Sequence, residues 1–593
     1  MKTWPRKNCW RASLPPACRP LIRARQIAAG CIVLAVLAVA AAVFSVFSRH
    51  RARQAERLAQ ETRAQSEQLL GYLSDDFGRD LESFGELKTV AEFAQRQIDY
   101  FHGLPPQLKS PQSVLNGAIA LVRHGRTMRL TGNAERARAD DQEAIQLLQA
   151  QADTGEHSAA TLELGMAYTE LATLEDNRDE PTGPADARHA LALLRPAAQA
   201  ASAPASVSLA YADALIRQGW EQNATAPAQA IKSFQEAKQV TVALGALTLA
   251  NVFAATDHAD ADGYSSAALT ALGRLDEGTS AAQSGAELAR RVLVQRPGNR
   301  QALHAQELSL SYLMAIPVSR LDPETAVQLG PQVLEASRAQ LGLDPDNTVA
   351  ISNQGVAYEN LAIAHWRAAQ LREGALVYRK SADVFGDLLT RANTSGVGNQ
   401  AEALVWTGEV LAQLGDLPGL QALAADDARF LALHPLSSAT ADDLHYRQSM
   451  APYLQALTAE ARGDQATARR LATEAAARVP WAERKVLAQT SIGSPGVLDA
   501  LAARTALRMG DFAAAAKAVL AAERRLASLN RTDRLQSYEL ALALYADALA
   551  EPANATANLA EATKVMDSLQ PQVAALMGPK EVRGWIRQAQ VRH

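Results

Sequence analysis

Residues 456–480 read ALTAEARGDQATARRLATEAAARVP. Gly463-Asp464 interrupts two runs of helical apolar periodicity, and small residues sit at fixed offsets from that glycine. Ala456 lies seven positions before it, Ala468 and Ala475 five and twelve after it, and Pro480 closes the second run. Two antiparallel helices joined by a tight turn approach closely only where small residues face each other, and a following pair can then pack on the same seam. The stretch predicts a helical hairpin made to stack on others like it.

The same offsets recur elsewhere. Around Gly132-Asn133 they give Gly125, Ala137 and Ala144; around Gly510-Asp511 they give Ala503, Ala515 and Ala522. Around Gly415-Asp416 they give Gly408, whereas Leu420 and Asp427 break the later positions. Apolar residues recur at i, i+3, i+4 and i+7 nearly everywhere after residue 49, with no sustained period of two. Breaks fall at Pro105-Pro106, Asn177 to Pro184, Pro297-Gly298-Asn299, Thr394 to Asn399 and Ser494-Pro495-Gly496. After Tyr358 the periodic pattern runs on to Gly374, which predicts a lengthened helix there. The composition agrees: 48% hydrophobic but only 5% aromatic residues in 593, favouring close-packed helices over a β-sandwich. The fold class is all-α.

These hairpins resemble the tetratricopeptide repeat family, whose 34-residue helix pair keeps small residues at such positions. The family's Leu-Gly-x-x-Tyr piece stands as Leu164-Gly165-Met166-Ala167-Tyr168 and in part as Gly355-Val356-Ala357-Tyr358. The resemblance covers residues 113–590 and is degenerate, since the last three turns lie 47–48 residues apart. It implies a solenoid of helical hairpins that binds a protein or peptide on its concave face. Ser352, Asn353, Glu359 and Asn360, with Thr169 and Glu170, are thereby the candidate peptide-contacting residues.

Ahead of the repeats, Ile27 to Ser48 contains no charged residue, enough helix to cross a bilayer core of about 30 Å. The run is too long for a signal peptide's apolar region, so a single transmembrane helix is expected at 27–48. Residues 1–26 form a short basic arm carrying Lys2, Arg6, Lys7, Arg11, Arg19, Arg23 and Arg25. Arg49, Arg51, Arg53, Arg57 and Arg63 crowd the other flank, and near the membrane the two counts almost tie. Residues 49–112 read as a juxtamembrane helical segment. Within it, 66–101 resemble a segment of bacterial signalling proteins in which an effector domain, a membrane helix and tetratricopeptide-like repeats follow one another. Leu69, Leu73, Asp75, Leu81, Gly85, Leu87 and Tyr100-Phe101 carry that resemblance. It implies an inner-membrane protein with a cytoplasmic N-terminus, periplasmic repeats and no effector of its own. Cys9, Cys18 and Cys31 are the only cysteines, so the repeats hold no disulfide framework.

The chain therefore reads as a non-enzymatic, membrane-anchored scaffold, or as the sensory half of a signalling system acting through a separate effector. A net charge of -4 gives no reason to expect a nucleic-acid partner. No cofactor or metal is expected. Arg123-His124-Gly125 spells a histidine phosphatase motif, but inside a helical pattern that already uses Gly125 for packing. Asp76-Phe77-Gly78 lacks every other kinase element. His258-x-Asp260-x-Asp262-Gly263 lacks the acidic first ligand and the final glutamate of a calcium loop and reads as a polar loop. Gly396-x-Gly398-x-x-Ala401 follows a helical pattern, not the strand a dinucleotide site needs, and also reads as loop. Trp220, Trp366, Trp406, Trp481 and Trp585 read as wedges between helices.

Overall fold

The computed structural model describes residues 19–72, 87–152, 159–176, 182–200, 203–223, 225–320, 322–391, 396–434, 436, 441–479, 494–511, 514–515, 518, 534–569 and 571–592. Among them there is no strand. The chain divides into two units, Met1–Leu73 and Ser74–His593. The described residues of the first form one helix, α1 (Arg19–Tyr72), which continues without a break past the apolar run. Within it, Ile27–Ala55 has a mean hydropathy of 2.8 and no buried side chains, a helix long and apolar enough to cross a membrane.

The second unit opens with α2 (Leu87–Gly103), which packs on the first hairpin through Leu87, Val90, Ala94, Ile98 and Phe101. Hairpins follow as α3 (Pro111–Leu130) with α4 (Ala134–Ala152), α5 (Ala159–Asp176) with α6 (Gly183–Ala198), and α7 (Ala205–Asn223) with α8 (Pro227–Ala243). Next come α9 (Val252–Ala271) with α10 (Leu275–Gln295), α11 (Arg300–Ser319) with α12 (Pro323–Leu343), and α13 (Thr348–Arg367) with α14 (Leu371–Thr390). The array continues through α15 (Val397–Gln413) with α16 (Leu417–Leu433), α17 (Ala441–Ala461) with α18 (Gln465–Arg478), and α19 (Ser494–Arg508). It ends with α20 (Arg534–Ala550), α21 (Ala555–Asp567), α22 (Pro571–Ala574) and α23 (Met577–Arg592). This is an all-α solenoid of tetratricopeptide-like hairpins.

The turns explain the repeat. Gly132, Gly415, Gly463 and Gly510 all have positive φ, between 70° and 88°, a conformation that glycine adopts without a Cβ penalty. The residue after each caps the next helix: the side chains of Asn133, Asp416, Asp464 and Asp511 accept from the amides of Arg136, Gly419, Thr467 and Ala514. Gly273 at φ 73° and Ala369 at φ 59° occupy the same place in two further hairpins. Ala369, Gly415, Gly463 and Gly510 stand 46 to 48 residues apart, and Gly132, Gly273 and Ala369 are separated by 141 and 96 residues, three and two times about the same period. The longer period thus holds along the whole array and is not a feature of its end alone.

Ala369 also corrects the long helix expected through Tyr358. α13 ends at Arg367, α14 begins at Leu371, and Gly374 lies in the first turn of the second helix. An alanine in the left-handed region hides the turn from any reading based on glycine.

The seam residues are packed as such. Ala137, Ala144, Ala456, Ala468, Ala475, Ala503 and Ala515 have no accessible surface; Ala522 lies outside the described residues. A Cβ on Gly125 would stand 2.6 Å from Asp141 Oδ1, and one on Gly408 2.7 Å from Leu454. Leu420 and Asp427 are buried as well. That repeat keeps its seam but fills it differently, with Asp427 2.5 Å from Arg447 in a buried ion pair. Of the tryptophans, Trp366 packs at a tilt against Trp406 and meets Tyr378 edge-on, Trp220 meets Tyr264, and Trp585 meets Tyr545.

Candidate binding face

The odd-numbered helices from α3 to α13 touch one another in succession, while the even-numbered ones make no comparable series of contacts. Crowding of one layer relative to the other curves a stack of hairpins, with the crowded layer on the inside. The inner face is therefore built from the odd helices.

That face is polar, and its side chains are linked from one repeat to the next. Arg126 and Arg129 of α3 both bond Glu170 of α5, at 2.5 and 2.8 Å. Burial pushes the Glu170 carboxyl up, but the two guanidinium groups pull harder and hold it at about 2. Arg126 also stands 4.0 Å from Asp213 of α7, whose side chain is half exposed. Surrounding protein pushes the Asp213 carboxyl up, although solvent reaches it and moderates that shift. Asp260 of α9 is raised well above the usual range by burial and by Asp213, against Arg300 of α11. Its Oδ1 has no hydrogen-bond partner.

On α11, Glu307 is buried, accepts from Ser311 at 2.9 Å, and is pushed by burial up to about 7. His304 is held down at about 4 by burial and by Arg300, and its Nδ1 lies 3.3 Å from Asn353 of α13. Glu359 of α13 is buried and pushed up to about 7, against a hydrogen bond from Asn399 of α15. Asp213, Asp260 and Glu307 occupy one position in three successive repeats, 47 residues apart. The carboxylate row was missed in the sequence, where only this period would have revealed it.

Toward the C-terminus most of the links are enclosed. Arg447 donates to Gln400 at 2.7 Å, and Tyr453 donates to Glu409 at 2.7 Å. Arg504 makes a two-pronged bond to Glu460, at 2.7 and 2.8 Å. Arg508 joins Glu460 and reaches Glu581 of α23 at 2.8 Å. The amide of Gly578 donates to Gln413 at 2.9 Å across 165 residues. A second long link brings hairpins together: Thr348 at the start of α13 donates to the carbonyl of Leu130, the last residue of α3, at 3.0 Å.

The candidate peptide-contacting residues fall into two groups. Ser352, Asn353 and Asn360 are half-buried on α13, and Asn353 faces α11 through His304. Thr169, Glu170 and Glu359 are buried. Thr169 donates to the Gly165 carbonyl at 3.0 Å, and both oxygens of Glu170 are taken by arginine.

The sequence motifs resolve as helix. His124 is buried in α3 with Nδ1 2.6 Å from Asp140. His258 to Gly263, read as a loop, lies in the middle of α9, where His258 meets Thr241 and Lys238 meets Asp262. Its polar residues His258 and Asp262 are accommodated because they bond α8. Gly396 caps α15, and Gly398 and Ala401 lie within that helix. Asp76-Phe77-Gly78, Trp481 and, of the residues that carry the signalling resemblance, Leu73, Asp75, Leu81 and Gly85 lie outside the described ones. Among the described residues no three His, Cys, Asp or Glu side chains converge as a metal site would require.

No family model and no curated protein matches the chain. Among solved structures it is similar to the apo form of RapI, at a TM-score of 0.41 and 11% identity, covering 69% of this chain and 97% of that one. A Rap protein complexed with Competence and Sporulation Factor gives 0.37 and 10% over 70% and 99%. A STAND protein with a tetratricopeptide repeat sensor from Pyrococcus horikoshii gives 0.38 and 14% over 67% and 54%. These chains are likewise compared at the level of fold, and at such scores they say nothing of ligands.

Proposed function

We propose that the chain is a non-enzymatic scaffold that binds an extended protein segment along its odd-numbered helices. It is anchored by α1 in a bacterial inner membrane, with its repeats on the periplasmic side. The observation that supports binding is the inner face itself: half-buried amides and carboxylates, contributed one repeat at a time, line a single wall. An extended chain presents backbone donors and acceptors at regular intervals, and a wall of short polar side chains can meet them. A second reading, that the array senses for a separate effector, draws on the unbroken course of α1 from the apolar run to Tyr72, since a continuous helix can transmit a displacement.

Asn353→Ala with Asn360→Ala should weaken binding at least tenfold for extended peptides selected on the wild-type full chain, with the melting temperature little changed. Equal retention of those peptides by the variant would remove α13 from the binding wall, and failure to select any saturable peptide would overturn the binding function. Sidedness has its own test, because the repeats contain no cysteine. With Cys9 and Cys18 replaced by serine, Ser280→Cys on exposed α10 should react with a membrane-impermeant maleimide in cells whose outer membrane alone is permeabilised. Reaction only after complete lysis would place the repeats in the cytoplasm.

A further inference from the structure

The helix that leaves the apolar run does so through a collar of arginines. Phe47 and Ser48 end the run, and Arg49, Arg51 and Arg53 follow on the same helix, all exposed, with Arg57 beyond them. There is no acid from Ile27 to Ala55; Glu56 and Glu61 come only afterwards. At about 1.5 Å per residue, Arg49 to Arg53 spans roughly 6 Å, which matches the roughly 5–7 Å headgroup layer on one side of a bilayer. Arg57 lies roughly 12 Å beyond Arg49, past the outer edge of that layer.

Helical spacing of about 100° per residue places Arg49, Arg53 and Arg57 along one side and Arg51 on the opposite one, so the collar is two-sided. The Arg51 guanidinium lies over the Phe47 ring, 4.6 Å from its centroid, which ties a cation to the last aromatic residue of the run. Every Lys or Arg of the collar is arginine. A guanidinium offers paired N–H groups that match two phosphate oxygens, whereas an ammonium offers a compact point charge.

We propose that Arg49, Arg51 and Arg53 form a binding site for anionic phospholipid headgroups, which the collar holds through their phosphates. The proposal rests on the reading of α1 as a membrane anchor. Zwitterionic lipids present the same phosphate beside their own cation, so the collar should select lipids with net negative charge. Each arginine at the surface of an anionic leaflet contributes about 1 kcal/mol of attraction, and three acting together give a preference on the order of tenfold or more.

The test uses the full chain reconstituted into vesicles of equimolar phosphatidylcholine and phosphatidylglycerol, re-extracted in mild detergent, with the retained phospholipid identified by mass spectrometry. The wild type should retain phosphatidylglycerol over phosphatidylcholine. The triple variant Arg49→Gln, Arg51→Gln, Arg53→Gln should lose that preference on the order of tenfold, and the corresponding lysine triple variant should keep a substantial part of it. Equal lipid ratios in the wild type and the glutamine variant, or no preference in the wild type, would overturn the proposal. Extraction of the vesicles with alkaline carbonate separates the two ideas. A chain that stays in the membrane but shows no lipid preference refutes only the collar; a chain released by carbonate refutes the anchor and the collar together.

Discussion

Replacing Arg504 by methionine is expected to destabilise the C-terminal hairpins by about 3–5 kcal/mol, the cost of breaking a buried ion pair from one side. Arg504 is almost wholly enclosed, as are Glu460 and Glu409 on the two preceding odd helices. Burial pushes the Glu460 carboxyl up, yet Arg504 and Arg508 together bring it below the usual range. Methionine fills the volume of the arginine stem but leaves Glu409 with only the Tyr453 hydroxyl and Glu460 with Arg508. In a solenoid each hairpin leans on its neighbours, so the loss should stay local. Hydrogen exchange should show α17, α19 and α23 losing protection while α7 to α11 keep theirs. Adding Glu460→Gln and Glu409→Gln should recover part of the loss, because the stranded charges are then gone. A wild-type exchange pattern in the single variant would show that the network does not hold the C-terminal hairpins.

The difference between what could and could not be read from the sequence lies in the range of the interactions. The Gly-Asp and Gly-Asn turns were legible because both roles are local: glycine supplies positive φ and the following side chain caps the next helix within three residues. The apolar run of α1 was legible by length alone. Ala369 was not, since its conformation is imposed by the hairpin around it and alanine does not announce it. The His258 to Gly263 stretch reads as a loop because it is polar, yet Asp262 is buried against Lys238 and Ser284. A helix enclosed between other helices can be polar on a buried face when its neighbours supply partners. Most of the links that unite the inner face join residues 41 to 49 positions apart, as in Arg129 with Glu170, Glu409 with Tyr453 and His304 with Asn353. No local pattern registers such pairs; only the repeat period does.

The same enclosure makes the inner face sensitive to pH, and Glu307 should show it most clearly. Its carboxyl is 3% exposed, has one hydroxyl donor, and is pushed up from 4.5 to about 7. A raised folded-state value means that the native array binds a proton that the unfolded chain releases. The stability contributed by that proton is fully present below about pH 4.5 and is lost as pH rises through about 7. The shift corresponds to about 3 kcal/mol. Glu307→Gln keeps the shape and removes the charge, so it should stabilise α11 and its neighbours by about 3 kcal/mol at pH 8 and by little at pH 4.5. Urea melts of the two chains, run from pH 4.5 to pH 8, should therefore diverge with rising pH. Parallel curves would mean that water reaches the carboxylate and that its burial costs nothing. Glu359, raised to about 7 in its turn, sits on the helix that carries Asn353 and Asn360. If the curves diverge as expected, a drop from pH 8 to pH 6 uncharges two carboxylates on the wall proposed to bind the peptide, so affinity for a basic segment should fall as stability rises.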